Sequence, residues 1–142
     1  MRWPARIREW LAKRFPEKSL GERGEDAAAR FLKKQGFHIL ARSVDSPLGE
    51  LDIIAVDGRT VVFVEVKTRR SHDAGAPSEA IDQRKEQRMT QAALAYLKSN
   101  RLLSYSARFD VVAITWPEDI QRPTIEHFKN AFSAVGEGQF FS

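Results

Sequence analysis

Two apolar runs, residues 51–56 and 60–67, flank the dipeptide Asp57-Gly58. A turn pair of this kind between β-branched runs is the strongest short-range hairpin signal, and it constrains this chain more than any other feature. With Asp57 and Gly58 as the two central turn residues, Val56 lies opposite Arg59, Asp52 opposite Phe63 and Glu50 opposite Glu65. Side chains alternate along a strand, and opposed residues share a face. One face therefore carries Leu51, Ile53, Val62, Val64 and Val66. The other carries Ile54, Val56, Val61 and Phe63 near the turn, then Glu50, Asp52, Glu65 and Lys67 at the far end. A ribbon apolar on both faces belongs inside a sheet that is covered on each side. The turn length matters here, because a three-residue loop would send Asp52 and Glu65 to opposite faces.

Three carboxylates on a face that becomes apolar within two residues are costly if left partly desolvated and unpaired, and one lysine cannot neutralise them. Asp52 and Glu65 are diagonal neighbours in this register, with Cβ atoms about 7 Å apart. Carboxylates close that span onto one divalent ion at about 2.1 Å from each oxygen. Oxygen ligands without cysteine or a nearby histidine favour Mg²⁺ or Mn²⁺ over zinc. Lys67, two residues along the same face, would hold a water or an oxygen of the phosphate that the water attacks at phosphorus. This is a layout for metal-assisted phosphodiester hydrolysis. Glu25 precedes Ala28, Ala29 and Leu32 on a helical pattern, so it leans toward the packed stripe. Either it meets a metal, a water or a cation there, or it is solvated near a helix N-terminus where the dipole favours it.

The remaining pattern fills in the fold. Ser19 and Glu22 make a capping box, and Ala27, Ala28, Phe31 and Leu32 an apolar stripe ending at Gly36, so residues 20–35 read as a helix. Residues 37–42 read as a strand. A loop with Gly75, Pro77 and Ser78 leads to a long helix whose stripe is Ile81, Met89, Ala92, Ala93, Tyr96 and Leu97. Residues 108–114 form another strand, broken by Trp116-Pro117, and residues 125–128 a last short one before a Gly-rich tail. The order α-α-β-β-β-α-β-β predicts an α/β domain with a mixed sheet flanked by helices. The domain is expected over residues 19–142, preceded by a basic amphipathic arm at residues 1–18.

The net charge of +4 resides in residues 1–20, because the rest of the chain has 17 basic and 17 acidic side chains. In the arm Ile7, Trp10, Leu11 and Phe15 share a helical face opposite basic residues, between Pro4 and Pro16. Phosphates, anionic lipid or a partner's groove would suit it. The plainer expectation is a terminal helix packed on its own domain with a solvated basic face. With no cysteine in 142 residues, thiolate nucleophiles, thiolate zinc sites and iron–sulfur clusters are excluded. No apolar run is long enough to span a bilayer and no signal-peptide core is present, so no stable membrane insertion and a cytoplasmic location are expected. His38, His72 and His127 have no ligand spacing and read as ordinary polar residues. Asp110, on an apolar strand, reads as the acceptor of structural hydrogen bonds or, less simply, as a site residue.

Gly49-Glu50-Leu51-Asp52 with Ile53-Ile54-Ala55, the Asp57-Gly58 turn and Phe63-Val64-Glu65-Val66-Lys67-Thr68-Arg69 resemble the YraN-like family of bacterial endonucleases. That family is similar to the archaeal Holliday-junction resolvases of the PD-(D/E)xK superfamily. The resemblance extends through Gly24-Glu25-Asp26-Ala27-Ala28, Ala80-Ile81 with Lys85 and Arg88, Arg108-Phe109-Asp110-Val111-Val112 and Asn130-Ala131-Phe132. It implies a restriction-endonuclease-like fold, Asp52 and Glu65 as metal ligands, Lys67 as the catalytic lysine, and Glu25 as a helix-borne carboxylate assisting the metal. The superfamily's proline before the aspartate is Leu51 here.

Arg69 and Arg70 follow the lysine strand, and Lys85 and Arg88 sit three apart on the next helix, so both pairs are expected to border the metal end and contact phosphates without reading bases. The function expected is a Mg²⁺- or Mn²⁺-dependent endonuclease acting on DNA, branched or damaged DNA included. Junction resolution would need two active sites and hence a homodimer. The alternative is a non-cleaving nucleic-acid-binding adaptor on a nuclease-like scaffold. A third reading makes Glu65 and Lys67 a structural ion pair.

Overall fold

The computed structural model describes residues 3–14, 18–71 and 82–134. Its elements are α1 (Ala5–Arg14), α2 (Leu20–Lys34), β1 (His38–Val44), β2 (Leu51–Asp57), β3 (Thr60–Arg69), α3 (Gln83–Ser99), β4 (Ser106–Thr115) and β5 (Thr124–Phe132). This is the order read from the sequence. His72, Gly75, Pro77, Ser78, Ile81 and the Gly-rich tail lie outside the described residues.

The five strands form one mixed sheet in the order β1-β2-β3-β4-β5. β3 runs antiparallel to β2 and parallel to β4, and α3 makes the crossover that a parallel pair needs. The two outer pairs, β1 with β2 and β4 with β5, are antiparallel. On one face α2 sets Ala27, Ala28 and Leu32 against Ile53, Ala55, Val62, Val64, Val112 and Ile114. On the other, α3 sets Met89, Ala92, Ala93 and Leu97 against Ile54, Val61, Phe63, Ala107 and Phe109. The hairpin is thus interior and covered on both sides. This is a mixed α/β architecture compatible with a restriction-endonuclease-like fold.

The turn differs from the expected one by a single step. Val56 pairs with Val61 and Asp57 with Thr60, so the two central residues are Gly58 and Arg59. Gly58 has φ +63° in the first central position, the place where a glycine-first two-residue turn needs it. Asp57 stays in the strand, where its carboxylate accepts a 2.9 Å hydrogen bond from Arg108 Nη2 on β4. The register moves by two residues, an even number, so the side chains within the paired ladder keep their faces. The ladder ends at Ile53–Val64, so Asp52 and Glu65 are the first residue of each strand beyond it and not diagonal partners within it.

Two further expectations are corrected. Leu51 packs with Ile54 beneath α3, on the face opposite Ile53. Strict alternation ends at Ile53, where the paired ladder of β2 and β3 also ends, and the Val66 N–H turns to the Asp52 carboxylate at 2.9 Å. Among its described residues the arm is not the buried helix expected: no residue of α1 is buried, and Trp3, Ile7 and Trp10 are exposed, while Phe15 and Pro16 lie outside the described residues. No helix among the described residues is long and apolar enough to cross a membrane.

Asp110 ends a structural network. It is fully buried and accepts from Arg108 Nε at 2.9 Å and the Asn130 N–H at 2.9 Å, with His127 Nε2 at 2.8 Å. Burial alone would raise its pKa, but His127, Arg108 and the Asn130 N–H together hold it below the usual carboxylate value.

The closest approach between helix and sheet sets the position of α2. A Cβ added to Gly24 would lie 1.8 Å from Thr68 Oγ1 and 2.8 Å from Thr68 Cβ. Alanine normally favours a helix interior over glycine by about 1 kcal/mol. Here Gly24→Ala should instead destabilise, by about 1–3 kcal/mol, because α2 must lift from β3. Urea unfolding measures the loss, and Thr68→Gly in the same chain should recover much of it.

Candidate active site

Four carboxylates and two ammonium groups meet where β2 begins and β3 ends. β2 and the residue before it supply Asp52 and Glu50, β3 supplies Glu65 and Lys67, α2 supplies Glu25 and α3 supplies Lys85. Glu25 arrives through the Gly24–Thr68 contact, which seats the first turns of α2 beside the strand residue after Lys67. Asp82 caps α3, its Oδ1 accepting the Lys85 N–H at 2.9 Å, and so fixes the helix turn that carries Lys85.

The carboxylates divide into two groups. Glu25, Glu50 and Asp52 each offer one oxygen, and the three oxygens lie within 4.8 Å of one another. Glu65 is buried and paired with cations: Lys85 Nζ donates to its Oε1, and Lys67 Nζ is 3.8 Å from the same oxygen. Asp52 stands between the groups. The Asp52 Oδ2 atom accepts the Val66 N–H, which fixes the plane of the carboxyl group. Its pKa is pushed up to about 7, first by burial and then by the negative charge of Glu65, against the opposing pull of the Val66 N–H. Glu50 is raised by partial burial and by Asp45, Glu25 and Glu65. Burial and the neighbouring Lys85 lower Lys67, while Lys85, despite burial, is raised by its bond to Glu65.

The donor set fits a hard divalent cation. It is all carboxylate oxygen, and in an octahedral shell of about 2.1 Å radius opposed ligands stand about 4.2 Å apart. The observed spread of up to 4.8 Å closes to that with small rotamer adjustments. The residues that would hold such an ion are Glu25, Glu50 and Asp52, with Glu65 adjacent. Glu50 lay on the charged face in the sequence reading but was not among the ligands expected. The signal was present in its alternate position two residues before Asp52.

A cleft of about 330 Å³ opens beside this cluster, lined by Leu48, Glu50, Asp52, Glu65, Lys85 and Arg88 among others. Of the four cations expected to meet phosphates, Lys85 and Arg88 border the cleft, and Lys85 is bound to Glu65. Arg69 and Arg70 do not line it. Arg70 Nη1 donates to the Trp116 carbonyl at 3.1 Å, and the Arg69 carbonyl accepts the Trp116 N–H at 2.8 Å. These two arginines thus sit where β3 meets the segment after β4.

Residues 24–114 match the model of the uncharacterised protein family UPF0102. The chain is 44% identical over 144 residues to a UPF0102 protein of Rhodopirellula baltica, covering 96% of this chain and 86% of that one. It is 48% identical over 115 residues to a UPF0102 protein of Trichlorobacter lovleyi, covering 80% of this chain and 90% of the relative. A relative in Geotalea daltonii is 49% identical over 115 residues, with 81% and 90% covered.

Asp52 ties stability to pH. Between 3.8 and about 7 the folded protein keeps a proton on Asp52 that the unfolded chain has released. The stability from this group is therefore full below the lower value and lost as pH rises through the upper one. In chelator the melting temperature should fall between about pH 5 and about pH 8. Asp52→Asn should flatten this dependence, and Mg²⁺ should restore the stability of the unsubstituted protein at the upper end. Differential scanning calorimetry checks all three.

Proposed function

The chain belongs to the uncharacterised protein family UPF0102, the YraN-like family its motifs resemble, and we propose that it is a Mg²⁺- or Mn²⁺-dependent endonuclease that hydrolyses phosphodiesters in DNA. The observation that carries this reading is the convergence of one oxygen each from Glu25, Glu50 and Asp52 within 4.8 Å, with Glu65 on the wall of the adjoining cleft and Lys67 3.8 Å from Glu65. Acids of this density serve no packing purpose, and a partly exposed lysine, Lys67, stands beside them.

Each residue has a role that its surroundings allow. Asp52, oriented by the Val66 N–H, would offer the ion the oxygen that lies within 4.8 Å of those of Glu25 and Glu50. Glu25 and Glu50 complete the oxygen set from a second element and from the residue before β2. A bound Mg²⁺ or Mn²⁺ supplies Lewis acidity and positive charge for the phosphate oxygens. Lys67 positions the attacking water or steadies the phosphate oxygen, and its lowered pKa makes it easier for the ammonium to release a proton. Arg88 meets the backbone of the substrate at the mouth of the cleft, a contact that carries no sequence information. The absence of a base-reading element in this scheme suits choice by structure, such as junctions, flaps or damaged duplex.

Purified protein offered junction, flap, single-stranded and duplex DNA with Mg²⁺ or Mn²⁺ should cleave at least one of them. Asp52→Asn should lower the rate by at least about a hundredfold, and Lys67→Ala by about 10²–10³. Cleavage that survives both substitutions, followed on denaturing gels, belongs to a contaminant and removes the proposal. Tight, salt-sensitive binding with no cleavage in any divalent ion supports the adaptor alternative instead.

A further inference from the structure

Glu65 is the most deeply buried carboxylate of the site, only 5% exposed, and its Oε1 is already engaged by cations. Its Oε1 is shared by two ammonium groups, Lys85 from α3 and Lys67 from its own strand. The two differ in their freedom. Lys67 is two residues from Glu65 on the same strand face, so its position is fixed by the pleat. Lys85 reaches across from the first turn of a helix. Its backbone N–H is held by Asp82, while its side chain is 31% exposed to the cleft. One turn along α3, Arg88 borders the same cleft and is exposed.

The Lys85 ammonium therefore has two kinds of partner within reach of one side chain: the Glu65 carboxylate, and any anion that settles in the cleft beside Arg88. While it is on Glu65 it neutralises that carboxylate and adds a positive charge within electrostatic reach of Asp52. Both effects oppose a divalent cation. Moving to an anion in the cleft would reverse both at once. The residue thus links occupancy of the cleft to the cation affinity of the carboxylates, which is the condition for coupling between two ligands.

We propose that Lys85 is an internal counter-ion that couples cation and phosphodiester binding: it holds Glu65 until a phosphodiester oxygen draws its ammonium away, and the freed carboxylate then strengthens the cation site. It is a positioning residue acting through Glu65. The identity of the anion rests on the endonuclease reading; competition between Lys85 and a cation for Glu65 does not.

Mn²⁺ binding to the full chain, read by electron paramagnetic resonance, tests this without any cleavage. Lys85→Met should bind Mn²⁺ about tenfold more tightly than the unsubstituted protein. Because that variant strands a buried carboxylate, Lys85→Gln, which keeps a hydrogen-bond donor for Glu65 and removes the charge, serves as the second variant and should also bind more tightly. A phosphorothioate DNA duplex, which resists cleavage, should tighten Mn²⁺ binding to the unsubstituted protein several-fold and leave both variants nearly unchanged. Mn²⁺ affinity in both variants equal to or weaker than the original overturns the proposal. So does a duplex that binds the unsubstituted protein without altering its Mn²⁺ affinity. If no DNA is ever cleaved while the variants still show tighter binding and lost coupling, the endonuclease reading fails and the role of Lys85 stands.

Discussion

Negative charge gathered at the edge of a hydrophobic core has to be balanced, and the ways this protein balances it organise the whole end of the sheet. A buried aspartate on β4 and a half-buried one on β2 show the contrast. Asp110 receives an arginine, a histidine and a backbone N–H, and its pKa is lowered. That site is closed, with its charge matched from within. Asp52 receives one backbone N–H and faces further carboxylates, and its pKa is raised. A carboxylate kept in that condition takes up either a proton or a cation. The same residue type in the same sheet thus serves a structural purpose in one place and leaves an unfilled demand for positive charge in the other.

Much of this was legible because the controlling signals are local. The capping box at Ser19 appears where it was expected, with Ser19 Oγ accepting the Glu22 N–H. The alternation through residues 51–67 forced an interior hairpin whatever covered it. The error in the turn was harmless for a physical reason: a shift of two residues preserves the faces, and the faces, not the exact pairs, bring the acids together. What failed to show in the sequence is long-range. Nothing near Glu65 announces that Lys85, twenty residues away on a helix, will be its partner. Nothing near Gly24 announces Thr68. The switch of Leu51 to the α3 face follows from a side chain, Asp52, taking the place of a backbone acceptor, an event that periodicity cannot register.

The site depends on three separate packing decisions. α2 must lie close enough to β3 to deliver Glu25, and the missing Cβ of Gly24 permits it. β2 and β3 must part at Ile53 so that Asp52 turns its carboxyl toward Val66 and not into a ladder. α3 must begin where Asp82 can cap it, which sets Lys85 above Glu65. Each is a short-range fit between named residues, and each lies on a different element, so the acids are held by the scaffold and not by one another.

The charge around the cleft bears on what it serves. Outside residues 1–20 basic and acidic side chains are equal in number, so no broad positive field draws a polyanion to the domain. The cleft itself presents Glu50, Asp52 and Glu65 against Lys85 and Arg88. Above about pH 7, where Asp52 is ionised, a phosphate backbone approaching this lining without a cation meets more negative charge than positive. One divalent ion reverses the balance. A scaffold kept only to bind nucleic acid gains nothing from carboxylates that repel its ligand and cost desolvation energy, and exchanging them for neutral or basic residues would improve it. Their presence is intelligible if cation and phosphodiester come to the cleft together, which is the requirement of hydrolysis and not of binding alone.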